Sequence, residues 1–196
     1  MEIKNIRQLD ATATYTYADY LQWMFKERVE LIRGKLLKMP PAPSREHQRI
    51  SGNLHGFLWN YLQNHPCEVY SAPFDVRFPR QMDTSPQDID TVVQPDICVV
   101  CDHSKLDERG CLGAPDLIVE ILSPGSSQKD ARDKFQLYQE QGVPLYWLVD
   151  PANKTILRYE RNDAGQYVGM APLTLEDTLE TAQFPGLEIP LARVFK

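Results

Sequence analysis

The sequence of 196 residues lacks features that mark several common classes of protein. Its longest apolar runs, such as residues 97–101, are far shorter than the ~20 residues that cross a bilayer, so we expect no membrane partner. It has no glycine-rich dinucleotide fingerprint, P-loop lysine motif or common hydrolase motif, so no nucleotide cofactor is predicted. No charged-then-apolar leader opens the chain, and we therefore expect a cytoplasmic location.

Positive charge is also in short supply. The 21 Lys and Arg stand against 27 Asp and Glu, a formal net charge of −6, which is unlike a general nucleic-acid binder. The charge is segregated, however: residues 28–49 carry six bases and two acids, and residues 83–108 carry seven acids and one base. This segregation is consistent with a basic surface that contacts phosphates and a group of acids that binds a cation. It is equally consistent with charged loops exposed to solvent.

Cysteine is scarce, with Cys67, Cys98, Cys101 and Cys111 as its four occurrences. Cys98 and Cys101 have the two-residue gap of a zinc knuckle. They lie in an apolar run typical of a buried strand, where residues three apart point to opposite faces. We therefore expect no zinc site and predict buried, reduced thiols.

What is present indicates an α/β protein with a single domain over residues 1–196. A capping box from Thr16 to Asp19 predicts a first helix that ends near Arg28. Residues 29–39 form two apolar runs around a glycine-containing dipeptide, which predicts a hairpin. Apolar residues at helical spacing predict a long helix over residues 44–64.

The second half of the chain predicts a strand, helix, strand unit. Two earlier strand-like runs, at residues 68–79 and 92–101, are separated by a polar stretch, residues 81–90, expected to be a mobile loop. The unit itself consists of a buried strand at 116–122, a helix near 128–141 opened by a capping box at Ser127, and a strand at 145–150. The two strands of such a unit lie parallel, and a hairpin is expected after Pro151.

The candidate chemistry lies in carboxylates that adjoin these apolar strands. Asp96 follows Pro95 at the start of one strand, and Glu120 lies inside the next. A carboxylate in so apolar a run is costly unless a cation meets it. A bound Mg²⁺ is one such partner, because two carboxylates, waters and a phosphate oxygen complete its octahedron; an ion pair with Lys134 is the structural alternative.

An ordered series of motifs runs through the chain. It comprises Val29-Glu-Leu-Ile-Arg-Gly34 with Met39-Pro40, His47, Gln94-Pro-Asp96, the block from Gly113 to Pro124, Asp130-x-x-x-Lys134-x-x-x-Tyr138, Gly142-Val143, and Tyr146 to Asp150. In this series the sequence resembles the PD-(D/E)XK nuclease superfamily and, more closely, its Uma-two (Uma2) family of bacterial endonucleases. The resemblance covers residues 29–151. It implies a restriction-endonuclease-like core, a central mixed β-sheet flanked by helices, widened by an N-terminal hairpin and C-terminal strands.

The resemblance implies metal-dependent hydrolysis of phosphodiester bonds in DNA. Asp96 and Glu120 would hold Mg²⁺ or Mn²⁺. Leu122 stands where the superfamily has a lysine two positions after the second acid. The family pattern implies that Lys134, on the following helix, replaces that lysine and orients or deprotonates the attacking water.

Two further residues match family positions. The resemblance implies that Glu30 is a third carboxylate at the cation and that His47 is a phosphate contact or proton relay. Each has a structural alternative, since Glu30 could cap the hairpin or pair with Arg28, and His47 could be a hydrogen-bonded residue at a helix end. Asp116, in a second Pro-Asp dipeptide, is a rival metal ligand that ranks below Asp96 because the family pattern favours Asp96.

The overall charge bears on the partners. Because a net charge of −6 opposes long-range steering to DNA, we expect a homodimer to help form the groove, with the bases of residues 28–49 at the DNA backbone. Competing hypotheses are a non-cleaving nucleic-acid- or protein-binding module of the same fold, and a hydrolase of a small phosphorylated substrate. Tyr138 and Trp147 are predicted to be core residues.

Overall fold

The computed structural model describes residues 3–39, 42–79, 85–123 and 128–196. For residues 128–130 it describes the backbone alone. The helices are α1 (Tyr17–Tyr20), α2 (Arg45–Leu62), α3 (Gln128–Glu140) and α4 (Leu191–Val194). The strands are β1 (Val29–Ile32), β2 (Lys35–Lys38), β3 (Glu68–Ser71), β4 (Val76–Arg77), β5 (Val92–Val93), β6 (Ile97–Val100), β7 (Leu106–Asp107), β8 (Gly110–Leu112), β9 (Leu117–Ile121), β10 (Leu145–Asp150), β11 (Thr155–Arg161), β12 (Tyr167–Gly169), β13 (Thr178–Leu179) and β14 (Ile189–Pro190).

Two six-stranded mixed sheets organise the described chain. The main sheet has the order β12-β11-β10-β9-β6-β3, and the hairpin sheet has the order β2-β1-β5-β4-β8-β7. Within the main sheet, β9 and β10 are parallel and α3 connects them, as predicted for a strand, helix, strand unit. The predicted hairpin after Pro151 is present as β11 and β12, which widen the main sheet.

The main sheet is covered on both faces by helices, which confirms the predicted α/β layering. Helix α2 buries its stripe of Ile50, Leu54, Leu58 and Leu62 with Val119 in one cluster. Helix α3 packs Leu137 and Tyr138 in the cluster on the other face. Ser44 caps α2 by accepting the His47 N–H at 3.1 Å, so the helix begins where the sequence indicates.

The hairpin β1–β2 forms as predicted, but its location differs from the prediction. It pairs with β5 in the hairpin sheet and does not widen the main sheet. The predicted strands at 68–79 and 92–101 are each divided between the two sheets, because a proline interrupts each one: Pro73 between β3 and β4, and Pro95 between β5 and β6. The chain therefore crosses from one sheet to the other immediately before Asp96.

Other expectations about local structure have mixed outcomes. The Thr16 capping box is present, with the side chains of Thr16 and Asp19 bonded reciprocally to backbone N–H groups. Helix α1 ends at Tyr20 and not near Arg28, because the chain turns there so that Trp23 can pair with Ile3. The Ser127 capping box and part of the polar stretch at 81–90 lie outside the described residues.

The cysteine prediction is wrong for two of the four residues. Cys67 and Cys101 form a disulfide, since they directly flank the paired residues Glu68 and Val100 and so face each other across β3 and β6, with Cα atoms 3.9 Å apart. Cys98 and Cys111 are buried free thiols, as expected. A Cys98–Cys101 zinc site is excluded because Cys101 is bonded to Cys67.

Candidate active site

A cavity of about 270 Å³ opens at the junction of the two sheets. It is lined by all five predicted site residues, namely Glu30, His47, Asp96, Glu120 and Lys134. They come from four elements and one connection: β1, the first turn of α2, the residue before β6, the interior of β9, and α3. The fold therefore brings together side chains that are up to 104 positions apart in the sequence.

Strand register places the two predicted metal acids opposite each other. Strands β6 and β9 are antiparallel, and their last residue pair toward the cavity is Ile97 with Val119, so Asp96 and Glu120 occupy the next opposed positions. Directly opposed residues on one face have Cβ atoms about 5 Å apart, and like charges there repel. This end of the sheet therefore favours a cation between or beside the two carboxylates.

Asp96 is held by backbone and side-chain donors. Its Oδ2 accepts the Ile121 N–H at 2.8 Å and lies 3.3 Å from His47 Nε2. The hydrogen bond to Asp96 raises the pKa of His47 above its usual value, although burial opposes the shift. The other ring nitrogen of His47, Nδ1, is buried and has no hydrogen-bond partner among the described residues. The imidazole thus has one nitrogen engaged with Asp96 and one buried nitrogen without a partner among the described residues.

Lys134 connects the two sheets. Its Nζ donates to Glu120 Oε1 at 2.8 Å and to Glu30 Oε1 at 3.0 Å, and Glu30 Oε1 also accepts the Gln94 N–H at 2.9 Å. All three charged side chains are at most 15% exposed. The two carboxylates raise the pKa of Lys134 despite the opposing effect of burial, so its side chain remains an ammonium group.

The surroundings of Glu120 shift its pKa toward neutral pH. Burial raises its pKa to about 7, the charges of Asp96 and Glu30 add to the increase, and Lys134 opposes it. Lys134 thus offsets only part of the increase that burial and the two neighbouring carboxylates cause. Perturbation by burial together with specific charged neighbours in a cleft is typical of functional sites.

Tyr138 contributes a contact that the sequence interpretation missed. It is fully buried, as predicted for a core residue, but its hydroxyl donates to Glu120 Oε1 at 2.6 Å. The spacing of Lys134 and Tyr138 by four residues was the available signal, because it places both on one face of α3. The same oxygen of Glu120 therefore receives two donors, one charged and one neutral.

The rival acid Asp116 lies away from the cavity. It precedes β9 at the end opposite to Ile121, and its Oδ2 accepts the Cys101 N–H at 2.7 Å. Four residues of extended strand separate it from Glu120, a distance of about 13 Å. The structure thus places Asp96, and not Asp116, with the other candidate residues.

The described residues contain no cluster of three His, Cys, Asp or Glu side chains arranged to hold a metal ion. The predicted third ligand, Glu30, is engaged with Lys134 and the Gln94 N–H. Asp96 Oδ1 and Glu120 Oε2 make no hydrogen bond within the described part of the chain. Both contacts of Glu30 go to its Oε1, so Glu30 Oε2 is likewise without a hydrogen bond among the described residues, and each of the three acids keeps one oxygen open to a cation.

No helix in the described ranges is long and apolar enough to cross a membrane. The fold itself has a solved counterpart: the crystal structure of “a putative nuclease belonging to DUF820” from Anabaena variabilis aligns with a TM-score of 0.71. The alignment covers 92% of this chain and 97% of that one at 21% identity. The fold class is therefore the mixed α/β, nuclease-like class expected from the sequence.

The family follows from the sequence match. The profile of the Uma2 family, described as “Putative restriction endonuclease”, matches residues 17–192, and the chain belongs to that family. A protein of Synechocystis sp. described as “Uncharacterized protein slr1290” is 28% identical over 153 residues, which is 76% of each chain. The resemblance noted in the sequence motifs is thereby confirmed.

Proposed function

We propose that this protein is a divalent-metal-dependent endonuclease that hydrolyses phosphodiester bonds in DNA. The observation that carries the proposal is the opposed pair Asp96 and Glu120, with the Lys134 ammonium group beside them in one cavity. Family membership supports a nuclease-like function. The DNA substrate and the metal dependence are our inference from the chemistry of the cavity.

The residues of the cavity fit a hard divalent cation. Asp96 and Glu120 each keep one carboxylate oxygen without a hydrogen bond among the described residues, and the two acids lie at opposed positions of neighbouring strands. Oxygen donors of this kind suit Mg²⁺ or Mn²⁺. Asp96 and Glu120 would hold the ion, with Glu30 as the nearby third acid. When bound, the ion supplies Lewis acidity that offsets charge on the reacting phosphate.

Lys134 and His47 have separate roles in this proposal. Because its pKa is raised, Lys134 stays protonated and orients the attacking water by donating a hydrogen bond; the alternative, proton abstraction by Lys134, is disfavoured. His47 lines the cavity, and its Nε2 lies 3.3 Å from Asp96 Oδ2, so the ring is placed beside the acids for a phosphate contact or a proton relay. The raised pKa of His47 favours the protonated ring that such a contact needs.

The proposal includes two partners, DNA as the substrate and a second copy of the chain. A net charge of −6 does not attract DNA at long range, so we infer that a homodimer forms the DNA groove. Bases between Arg28 and Arg49 would contact the backbone. These inferences rest on charge and on the position of α2 beside the cavity.

A cleavage assay tests the proposed activity. Purified protein is incubated with supercoiled and single-stranded DNA in Mg²⁺, Mn²⁺ or EDTA, beside Asp96→Ala and Glu120→Ala proteins prepared identically. We expect cleavage that requires metal and disappears in both variants. Equal nicking by all three proteins would indicate a contaminant. Metal binding without cleavage of any nucleic acid would contradict the proposal and favour a non-cleaving module of the same fold.

A further inference from the structure

A second groove, of about 180 Å³, adjoins the cavity. We call it the side groove and define it by Arg28, Gln48, Ser51, Gly52, His55 and Ser71, which line it. His47 and Asp96 line both the cavity and the side groove, so the two spaces meet at this hydrogen-bonded pair. A ligand that reaches the reacting centre can therefore continue into the side groove.

Helix α2 carries a second stripe of residues, of which Gln48, Gly52 and His55 line the side groove. The stripe consists of Arg45, Gln48, Gly52, His55 and Trp59, at alternating spacings of three and four residues. This spacing keeps them on one side of the helix, apart from the stripe that packs in the core. From its first to its last residue the stripe extends about 21 Å, at about 1.5 Å per residue.

Trp59 ends this stripe with an exposed aromatic surface. Its side chain is 54% exposed, and its ring is within 12° of parallel to His55, with ring centroids 6.4 Å apart. An exposed, flat aromatic group beside a polar groove offers a stacking surface that accepts any nucleobase. Unpaired bases present the faces that such stacking needs, whereas bases inside a duplex do not.

Gly52 leaves the floor of the side groove bare. No atom lies within 4 Å of the position that a Cβ atom would take there, so packing does not require a glycine. Glycine within a helix is destabilising relative to alanine. Because Gly52 has no side chain, a ligand in the groove can approach the helix backbone closely.

Arg28 supplies positive charge on the other wall. Its Nε and one Nη donate to Gln94 Oε1 at 3.2 and 2.9 Å, which fixes the guanidinium group and leaves three of its five N–H donors without a partner among the described residues. Gln94 is itself anchored, since its Nε2 donates to Asp75 at 2.8 Å. The guanidinium group is thus prepositioned for a phosphate oxygen.

We propose that the side groove binds the single-stranded DNA segment that flanks the scissile phosphate, with Arg28 at a phosphate and Trp59 stacked on a base. The inference rests on the proposed nuclease function for the identity of the ligand. Four observations support a single strand of DNA in this groove. They are the continuity with the cavity, the fixed guanidinium group of Arg28, the bare backbone at Gly52 and the exposed indole of Trp59.

Binding measured without divalent metal separates this proposal from catalysis. The full chain is titrated into a fluorescein-labelled 15-nucleotide single strand in EDTA, and anisotropy gives Kd. We expect Trp59→Ala to raise Kd about tenfold, as loss of one base stack does. Gly52→Leu, which fills the groove, is expected to raise Kd at least tenfold while the melting temperature stays equal or rises.

Matched variants control for changes unrelated to the groove. Val168→Ala removes an apolar side chain of similar exposure, 52%, from β12. Asn60→Leu adds the same side chain to the same helix at an exposed residue that does not line the groove. Both controls are expected to leave Kd within twofold of the unmodified protein.

The outcomes distinguish the two proposals. Single-strand binding that is lost in Trp59→Ala and Gly52→Leu supports the groove, even if the cleavage assay is negative. Cleavage of DNA with single-strand affinity unchanged in both variants overturns the groove and leaves the nuclease proposal standing. A shift of Trp59→Ala from dimer to monomer in size-exclusion chromatography, with Kd unchanged, would assign this face to a contact between copies and overturn the proposal.

Discussion

The two Pro-Asp dipeptides of this chain occupy opposite ends of the same antiparallel strand pair. Asp96 precedes β6 and accepts the backbone N–H of Ile121 at 2.8 Å, and Asp116 precedes β9 and accepts that of Cys101 at 2.7 Å. Each acid thus caps the end of the neighbouring strand in the same way. The local sequence and the local hydrogen bond are the same at both ends.

The surroundings of the two acids are different. The end of the sheet at Asp96 is covered by the first turn of α2, by α3 and by the hairpin sheet, which bring His47 and Lys134 to a cavity. At the Asp116 end, Cys101 is bonded to Cys67, and Lys105 Nζ donates to the Ala114 carbonyl at 2.9 Å. A Pro-Asp dipeptide therefore specifies a hydrogen bond at the end of a strand. The elements packed over the aspartate determine what its carboxylate can do.

Removing the lysine at each end tests this difference in stability. Lys134→Met leaves the buried Glu30 and Glu120 without their cation, and we expect the free energy of unfolding to fall by about 3–5 kcal/mol. Lys105→Met removes a hydrogen bond to a carbonyl, with an expected loss of about 1 kcal/mol. Urea unfolding at pH 7.5 gives both values, and equal losses would contradict the comparison.

Neutralising each acid tests the difference in activity. Asp96→Asn is expected to lower the rate of DNA cleavage at least about 100-fold, because it removes a charge that the proposed reaction requires. Asp116→Asn keeps an oxygen that can accept the Cys101 N–H and should cleave within about twofold of the unmodified protein. The measurement is the initial rate of plasmid relaxation in Mg²⁺. A comparable loss in Asp116→Asn would show that both ends of the strand pair support the activity.

The pH dependence of stability also distinguishes the two ends. The raised pKa of Glu120 means that the native protein holds this proton to higher pH than the unfolded chain does. Its contribution is therefore complete below about pH 4.5 and is lost as pH rises through about 7. In EDTA we expect a decrease of about 3 kcal/mol in the free energy of unfolding across this range.

Three comparisons check the assignment of this pH dependence to the Asp96 end. Glu120→Gln should remove the decrease, because the amide does not titrate. Asp116→Asn should leave it in place. Millimolar Mg²⁺ should reduce it, since a cation bound by the carboxylates favours their charged form. Urea denaturation at several pH values measures all three, and a decrease that persists in Glu120→Gln would contradict the assignment.

The smallest expected effect concerns the thiols. Burial raises the pKa of Cys111 to about 11 and raises that of Cys98 further, so neither thiol should react with Ellman's reagent in the native protein. Denaturation without reductant should release two reactive thiols, because Cys67 and Cys101 are bonded. Four reactive thiols in the unreduced, denatured protein would contradict the disulfide.

Much of the fold could be predicted because its signals are local. The apolar spacing in α2, the Ser44 cap and the parallel strands joined by α3 all follow from nearby residues, and the structure confirms them. The assignment of β1 and β5 to a separate sheet could not be predicted, because alternation along a strand does not specify which sheet the strand joins. The disulfide could not be predicted either, because it depends on the register of β3 with β6, which the local sequence does not specify.

The candidate site was predicted from motif positions, and the structure gathers those residues at one cavity. Their partners were harder to predict. Tyr138 follows the apolar pattern of a core residue, and only the position of Glu120 beneath α3 gives its hydroxyl a partner. Gln94 was part of a motif without an assigned contact, yet its backbone N–H holds Glu30 and its side chain holds Arg28.

The bridge made by Lys134 has a consequence for synthesis of the protein. Its contact with Glu30 joins positions 104 residues apart, and the sheet that carries Glu120 is completed by strands that follow α3. A nascent chain shorter than about two thirds of the sequence therefore lacks the lysine that pairs with the two acids. The cluster at the cavity can assemble only after α3 has been synthesised.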